Sequence, residues 1–294
     1  MTAEQPDQRD WLHIEQLTES HRFDEELARL LTRFQYRDDG ITLTAADPRP
    51  LPNSAVEPAT DGLATVFASD ASLVVVCYDD RGHRMVNPIE TALITALAET
   101  VRPGTAVPAP CGGTNEPLSE EPTPTTTPPK SRSATDATGE ASDVSFGVVT
   151  PHNAQRGALD TQLPDRVTAN TVEKYQGGER DIITVSATVS DPEFARQEER
   201  FLLNPRRLLV AISRSRLLTI VICSTALFEV APADSERLND GPVWARLFTQ
   251  AVGRDAEPAW SGLLGEFVGD ETGEHASVPV QVYPSTIDVN GGNS

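Results

Sequence analysis

Lysine is nearly missing from this chain: Lys130 and Lys174 are the only two, so 22 of the 24 basic residues are arginine. Cysteine is scarce as well. Cys77, Cys111 and Cys223 stand far apart with no Cys-x-x-Cys pair, which argues against a zinc site or disulfide framework and for a reducing compartment. Cys77 and Cys223 lie in apolar runs and read as buried small hydrophobes. No apolar run approaches the roughly 18–20 residues of a membrane span, and the acidic, polar N-terminus is unlike a signal peptide. The chain is therefore expected in the cytoplasm, with no membrane partner. His13, His21, His83, His152 and His275 show no metal-ligand spacing. No Gly-x-x-x-x-Gly-Lys-Ser/Thr loop occurs, and no apolar strand ends in the Asp-Glu pair that would hold Mg²⁺. The carboxylates of "YDDRG", residues 78–82, read as a solvated turn. No nucleophile elbow or Cys/His arrangement is present, and no metal site is expected.

Acid is what the chain has in excess. It carries 44 acidic against 24 basic residues, a net charge of −20 over 294 residues. The acids are spread along the chain with almost no lysine between them. That pattern resembles proteins of salt-loving archaea, in which surface carboxylates keep the protein hydrated and salt screens their repulsion. An acidic interaction protein is the alternative, but it would gather its acids in blocks. On the first reading, acidity counts little against nucleic-acid binding.

Residues 103–143 are rich in Pro, Thr, Ser and Gly and nearly devoid of large apolar side chains. Such a segment cannot offset its ordering entropy and is expected to be disordered. Its flanks decide whether it links domains or interrupts one. Before it, "SLVVVCY" reads as a buried strand and "NPIETALITALAETV" as an amphipathic helix; after it, "VSFGVVT" and "PHNAQRGALDTQL" repeat strand then helix. A short strand near residues 166–169 leads to Asn170, which with Glu173 predicts the N-cap of a short helix. Residues 182–188 read as a strand, 204–213 as a helix and "LLTIVICS" as a strand. Near-continuous apolar strands alternating with helices predict an α/β domain, a parallel sheet covered on both faces. Residues 71–102 and 144–252 then form one domain, 103–143 an insertion within it, 1–70 a helical and irregular lead-in, and 253–294 a tail. In the lead-in, Leu27, Leu30, Leu31 and Phe34 mark a helix face, and in residues 235–252 Trp244 and Phe248 share one face of a peripheral helix.

Two stretches carry chemistry. In "TVEKYQGGERDIITVSAT", residues 171–188, Gln176, Gly177, Gly178 and Glu179 form a turn between a short helix and a strand. The two glycines permit close backbone approach, while the amide and carboxylate supply polar contacts. In "NPRRLLVAISRSRLLTIVI", residues 204–222, Arg206, Arg207, Arg214 and Arg216 occur without one acid. Four such arginines suit phosphate oxygens, or else pair with carboxylates elsewhere in the fold.

In this order the two stretches resemble motifs V and VI of superfamily 1 helicases. The branch is the one containing the replication helicase/nuclease and the nonsense-mediated-decay helicase. "FGVVTPHNAQ" is similar to motif IV, and "LTESHRF" to the segment after motif III. The resemblance implies the second RecA-like domain of such an enzyme. It makes Arg214 an arginine finger and Arg22 a second γ-phosphate arginine, with Gln176, Gly177, Glu179 and His21 around the nucleotide. His21 stands where the family has a stacking tyrosine, and His152 where tyrosine is common. Thr150, Gln155 and Thr171 fall where the family contacts the nucleic-acid backbone. The implied ligands are ATP with Mg²⁺ and single-stranded DNA or RNA. The chain begins after the family's phosphate loop and Mg²⁺ carboxylates, so a separately encoded N-terminal helicase half is the expected partner, and the chain alone is expected to be inactive. The alternatives are an ATP-independent nucleic-acid-binding or regulatory module, or the remnant of a truncated helicase gene.

Overall fold

The computed structural model describes residues 19–20, 23–36, 42–45, 51–68, 70–104, 106–107, 142–175, 178–231 and 242–287. In chain order, strand β1 (Glu19–Ser20) precedes helix α1 (Glu25–Leu31), which widens into a π-turn at Thr32–Tyr36, and β2 (Thr44–Ala45), paired in parallel with β1. Then come α2 (Asp61–Phe67), β3 (Leu73–Tyr78), α3 (Pro88–Thr100), β4 (Ala106–Val107) and β5 (Ser142–Asp143). Next are β6 (Phe146–Thr150), α4 (Asn153–Asp160), β7 (Thr168–Thr171), β8 (Arg180–Ser186), α5 (Pro192–Gln197) and α6 (Glu199–Leu202). The chain continues through α7 (Pro205–Ile212), β9 (Ser215–Ser224), α8 (Val243–Ala251), β10 (Trp260–Leu263), α9 (Leu264–Val268) and β11 (Pro279–Pro284).

Seven of the strands form one sheet in the order β10-β11-β3-β9-β8-β6-β7. From β3 to β7 every pairing is parallel, whereas β11 runs antiparallel to β3 and β10 antiparallel to β11. This is an α/β RecA-like fold. Because side chains alternate along a strand, the apolar runs feed two cores. Val75, Cys77, Val149, Ile183, Val185 and Val221 face α1, α7 and α8, while Val74, Val76, Val148, Ile182, Ile220 and Ile222 face α2, α3, α4 and α9. Cys77 and Cys223 are buried register partners on β3 and β9. Among the described residues no helix is long and apolar enough to cross a membrane.

Several expectations change. Asn170 caps no helix. It lies within β7, paired with Val149 of β6, and a turn follows in which Lys174 and Tyr175 donate their N–H groups to the Thr171 carbonyl. The ladder to β6 holds Asn170 extended, and the cap-like spacing to Glu173 yields to it. The tail after residue 252 belongs to the sheet: Val280 and Val282 of β11 are fully buried against β3. Two prolines bracket this short strand and hide its pattern. Helix α8 is not peripheral, since Trp244 is buried and Phe248 packs on Phe228 and Tyr283. β4 and β5 pair antiparallel, which brings together the two ends of the expected insertion; residues 108–141 lie outside the described residues.

Candidate functional site

The described residues among those singled out by sequence fall on two opposite edges of the parallel sheet. At the amino-terminal edge, β8 and β9 begin side by side, with the Arg180 N–H donating to the Arg214 carbonyl at 3.2 Å. Glu179 immediately precedes β8, and its carboxylate accepts from Arg216 Nε at 3.4 Å. Arg216 also approaches Asp181 Oδ1 at 3.6 Å. The other Asp181 oxygen accepts from the Ser145 N–H at 2.9 Å and hydroxyl at 2.6 Å, which ties the start of β8 to that of β6. Arg214 follows α7, where its Nε donates to the Val210 carbonyl at 3.1 Å. A guanidinium bonded to the last turn of a helix is held in place while its outer nitrogens remain suited to an anion. Glu179 and Arg214 are thus brought to one edge. Arg22, His21, Gln176 and Gly177 lie outside the described residues.

The loop ahead of β8 is anchored from one side by Tyr175. Its hydroxyl donates to the Thr168 carbonyl at 3.0 Å and passes over Gly147 of β6, where an added Cβ would stand 2.2 Å from it. Burial raises the Tyr175 pKa. Gly147→Ala is therefore expected to destabilise the domain by about 1–3 kcal/mol through overpacking. Denaturant midpoints of the two proteins check this, and an unchanged midpoint would show that Tyr175 can swing away freely.

The carboxyl-terminal edge holds Thr150, Gln155 and Thr171, and all three side chains are buried. Thr150 Oγ1 bonds Thr188 Oγ1 at 2.9 Å. The Gln155 amide accepts from the Asn87 N–H at 2.8 Å and donates to Thr91 Oγ1 at 3.2 Å. These two expected backbone contacts therefore brace the edge from within, Thr150 through the segment after β8 and Gln155 through the entry and first turn of α3. His152 is also buried, against Phe194; its Nε2 has no hydrogen-bond partner, and burial lowers its pKa.

Between these residues lies a polar network that sequence reasoning missed. Asn87 caps α3, accepting from the Ile89 and Glu90 N–H groups, and donates to Tyr78 Oη at 2.7 Å and the Thr188 carbonyl at 2.9 Å. Glu90 is wholly buried and accepts from Tyr78 Oη at 2.8 Å, the Thr188 N–H at 2.9 Å and Ser186 Oγ at 2.5 Å. Desolvation raises its pKa to about 7 against these hydrogen bonds. Thr188 has φ 64°, a left-handed conformation that a β-branched residue rarely adopts. The signal was present in Asn87-Pro88-Ile89-Glu90, a cap residue with an acid three positions on. Nearby, Asp80 is no solvated turn residue: its Oδ2 accepts from His83 Nδ1 at 2.8 Å and from Ser190 Oγ.

Helix α7 divides the four arginines. Its eight residues span about 12 Å, placing Arg206 and Arg207 at the carboxyl edge, opposite Arg214 and Arg216. Arg207 pairs with Glu173 at 2.5 Å beside an apolar cleft floored by β6, β8 and α7, which encloses ≈ 440 Å³ with its open mouth included.

Fold and edges together define a class, an α/β domain of RecA-like architecture similar to those of superfamily 1 helicases. Residues 132–226, from the segment ahead of β5 to the turn after β9, match the family model described as an AAA domain. The chain is 36% identical over 83 residues to the DNA polymerase alpha-associated DNA helicase A of Saccharomyces cerevisiae, covering 26% of this chain and 12% of that protein. It is 35% identical over 96 residues to the probable RNA helicase armi of Drosophila melanogaster, 29% of this chain and 8% of that one. It is 34% identical over 87 residues to the regulator of nonsense transcripts 1 homolog of the same fly, 26% and 7% respectively. The matches span only about a tenth of the length of these relatives.

Proposed function

We propose that the chain acts as the second, C-terminal RecA-like motor domain of a superfamily 1 DNA or RNA helicase, lending its arginines to an ATP site completed by a first RecA-like domain. The observation that carries this reading is the two-edged placement: Glu179 and Arg214 at the amino edge of β8 and β9, and the motif IV and V threonines at the carboxyl edge of β6 and β7. One sheet can then meet a nucleotide on one side and a nucleic-acid strand on the other.

The donor set at the amino edge suits part of ATP. Glu179 offers a carboxylate acceptor to a ribose hydroxyl, and Arg214 a permanent cation to terminal phosphate oxygens, where charge grows during phosphoryl transfer. ATP supplies the phosphoryl group. In this reading the Mg²⁺ carboxylates and the phosphate cradle belong to the first domain, whether joined to this chain or separate from it. At the carboxyl edge the strand then passes Thr171 and the backbone at Thr150, and Thr150 is tied through Thr188 to Glu90 and Asn87.

An ATP-independent nucleic-acid-binding module is the second reading. It is favoured by the engagement of Glu179 with Arg216 and of Arg214 with Val210 inside the domain. ATPase assays separate the two. The 294-residue chain is expected to show no strand-stimulated hydrolysis above background alone, and to support it once a P-loop-bearing first domain is supplied. Robust turnover by the chain alone would overturn the shared-site reading, and failure of every completed pair would favour the second.

A further inference from the structure

The helicase-like motifs account for Arg214 but leave Arg206 and Arg207 without a role, and they leave unexplained the cleft beside them. The cleft is walled by Val149 and Val185 of the sheet, Leu208 and Ala211 of α7, Leu202 and Trp244. Its lining is almost entirely apolar and it is open to solvent at one side. The mouth opens at the carboxyl edge of β6 and β7, past Thr150, Val172 and the Glu173–Arg207 pair. Arg206 is exposed on the adjoining turn, and the first turn of α7 contains no acid.

This is an apolar slot with two arginines at its rim, in a protein of net charge −20. A flat, weakly polar group joined to an anion fits that pattern. We propose that the cleft seats one unstacked nucleotide of a bound single strand, its base inserted between α7 and the sheet and its phosphate on Arg206 and Arg207. The inference rests on the nucleic-acid reading of the carboxyl edge and deepens it. Insertion takes the base out of its stack onto apolar walls, a sequence-tolerant contact because every base has an apolar face. Arginine's planar fork holds the phosphate. Seating requires Arg207 to exchange some of its contact with Glu173 for phosphate, and both side chains are partly exposed at the mouth, where such an exchange costs little.

Fluorescence anisotropy tests this with a labelled oligothymidylate 12-mer and a 12-mer of the same backbone bearing abasic sites, at one salt concentration. Arg206→Ala should weaken both strands about fivefold, as loss of a phosphate contact does whatever the sequence. Val172→Phe narrows the mouth from a half-exposed position. It should weaken the base-bearing strand about tenfold, the scale of one lost stacked base, and leave the abasic strand unchanged. Wild-type melting temperatures for both variants certify their folds, and Val172→Leu is the milder substitute if the phenylalanine variant melts early. Variants that bind both strands like the wild type would overturn the seat and leave the nucleic-acid reading standing. Equal weakening of both strands by Val172→Phe would also overturn base insertion. A wild-type chain that binds neither strand would remove the nucleic-acid reading itself.

Discussion

Arg214→Ala should reduce strand-stimulated ATP hydrolysis by about 10³-fold or more once a P-loop-bearing first domain completes the site, while single-strand affinity stays within about twofold. The magnitude follows from the worth of an arginine that meets phosphate charge only as it develops. The asymmetry follows from position. Arg214 stands where α7 turns into β9, at the edge of the sheet away from Thr150, Thr171, Arg206 and Arg207. Steady-state ATPase and anisotropy on the same preparations check both halves. Equal turnover of variant and wild type would remove the arginine-finger assignment. Arg214→Lys discriminates further, because a point charge lacks the planar fork and should restore only a small part of the rate.

The second large effect concerns stability and pH. Glu90 is held by Tyr78 of β3, Ser186 of β8 and the Thr188 N–H, and no cation lies among these partners. Its pKa is raised from 4.5 to about 7. A carboxyl that binds its proton more tightly when folded favours the folded state most at low pH. That contribution is full below the unfolded value of 4.5 and is lost as pH rises through about 7. The span corresponds to about 3 kcal/mol. Urea unfolding of wild type and Glu90→Gln at about pH 5 and about pH 8 isolates it, since the remaining titrations are common to both proteins. The wild type should lose stability relative to the variant between the two pH values. A constant difference would show that Glu90 titrates alike in folded and unfolded chains.

Much of this arrangement was legible in the sequence. Runs such as "SLVVVCY" and "LLTIVICS" have no polar face, and only a strand covered on both sides permits that; they became β3 and β9. Glu179 and Arg214 each stand just ahead of an apolar strand run, and because β8 and β9 are parallel both reach the same edge. Other features depended on distance in space. Asn170 looked like a cap, but the ladder to Val149 outweighs a local signal. Gln155 stands where the resemblance implies a nucleic-acid contact; its amide meets Asn87, 68 residues earlier, and Glu90 reaches Thr188, 98 residues later. β11 shares no local pattern with β3, and its membership in the sheet comes from the pairing itself.

Strand β8 joins the two edges directly. Its four central residues, Ile182 to Val185, are laddered on both sides, to β6 and β9, and the register to β9 is irregular only between Arg180 and Ile182. Sliding such a strand by one residue would turn every side chain to the wrong core. For a motor built on this sheet, β8 is a push-rod without play. On the proposed motor reading, the working stroke would then appear as the whole domain swinging on a first RecA-like domain.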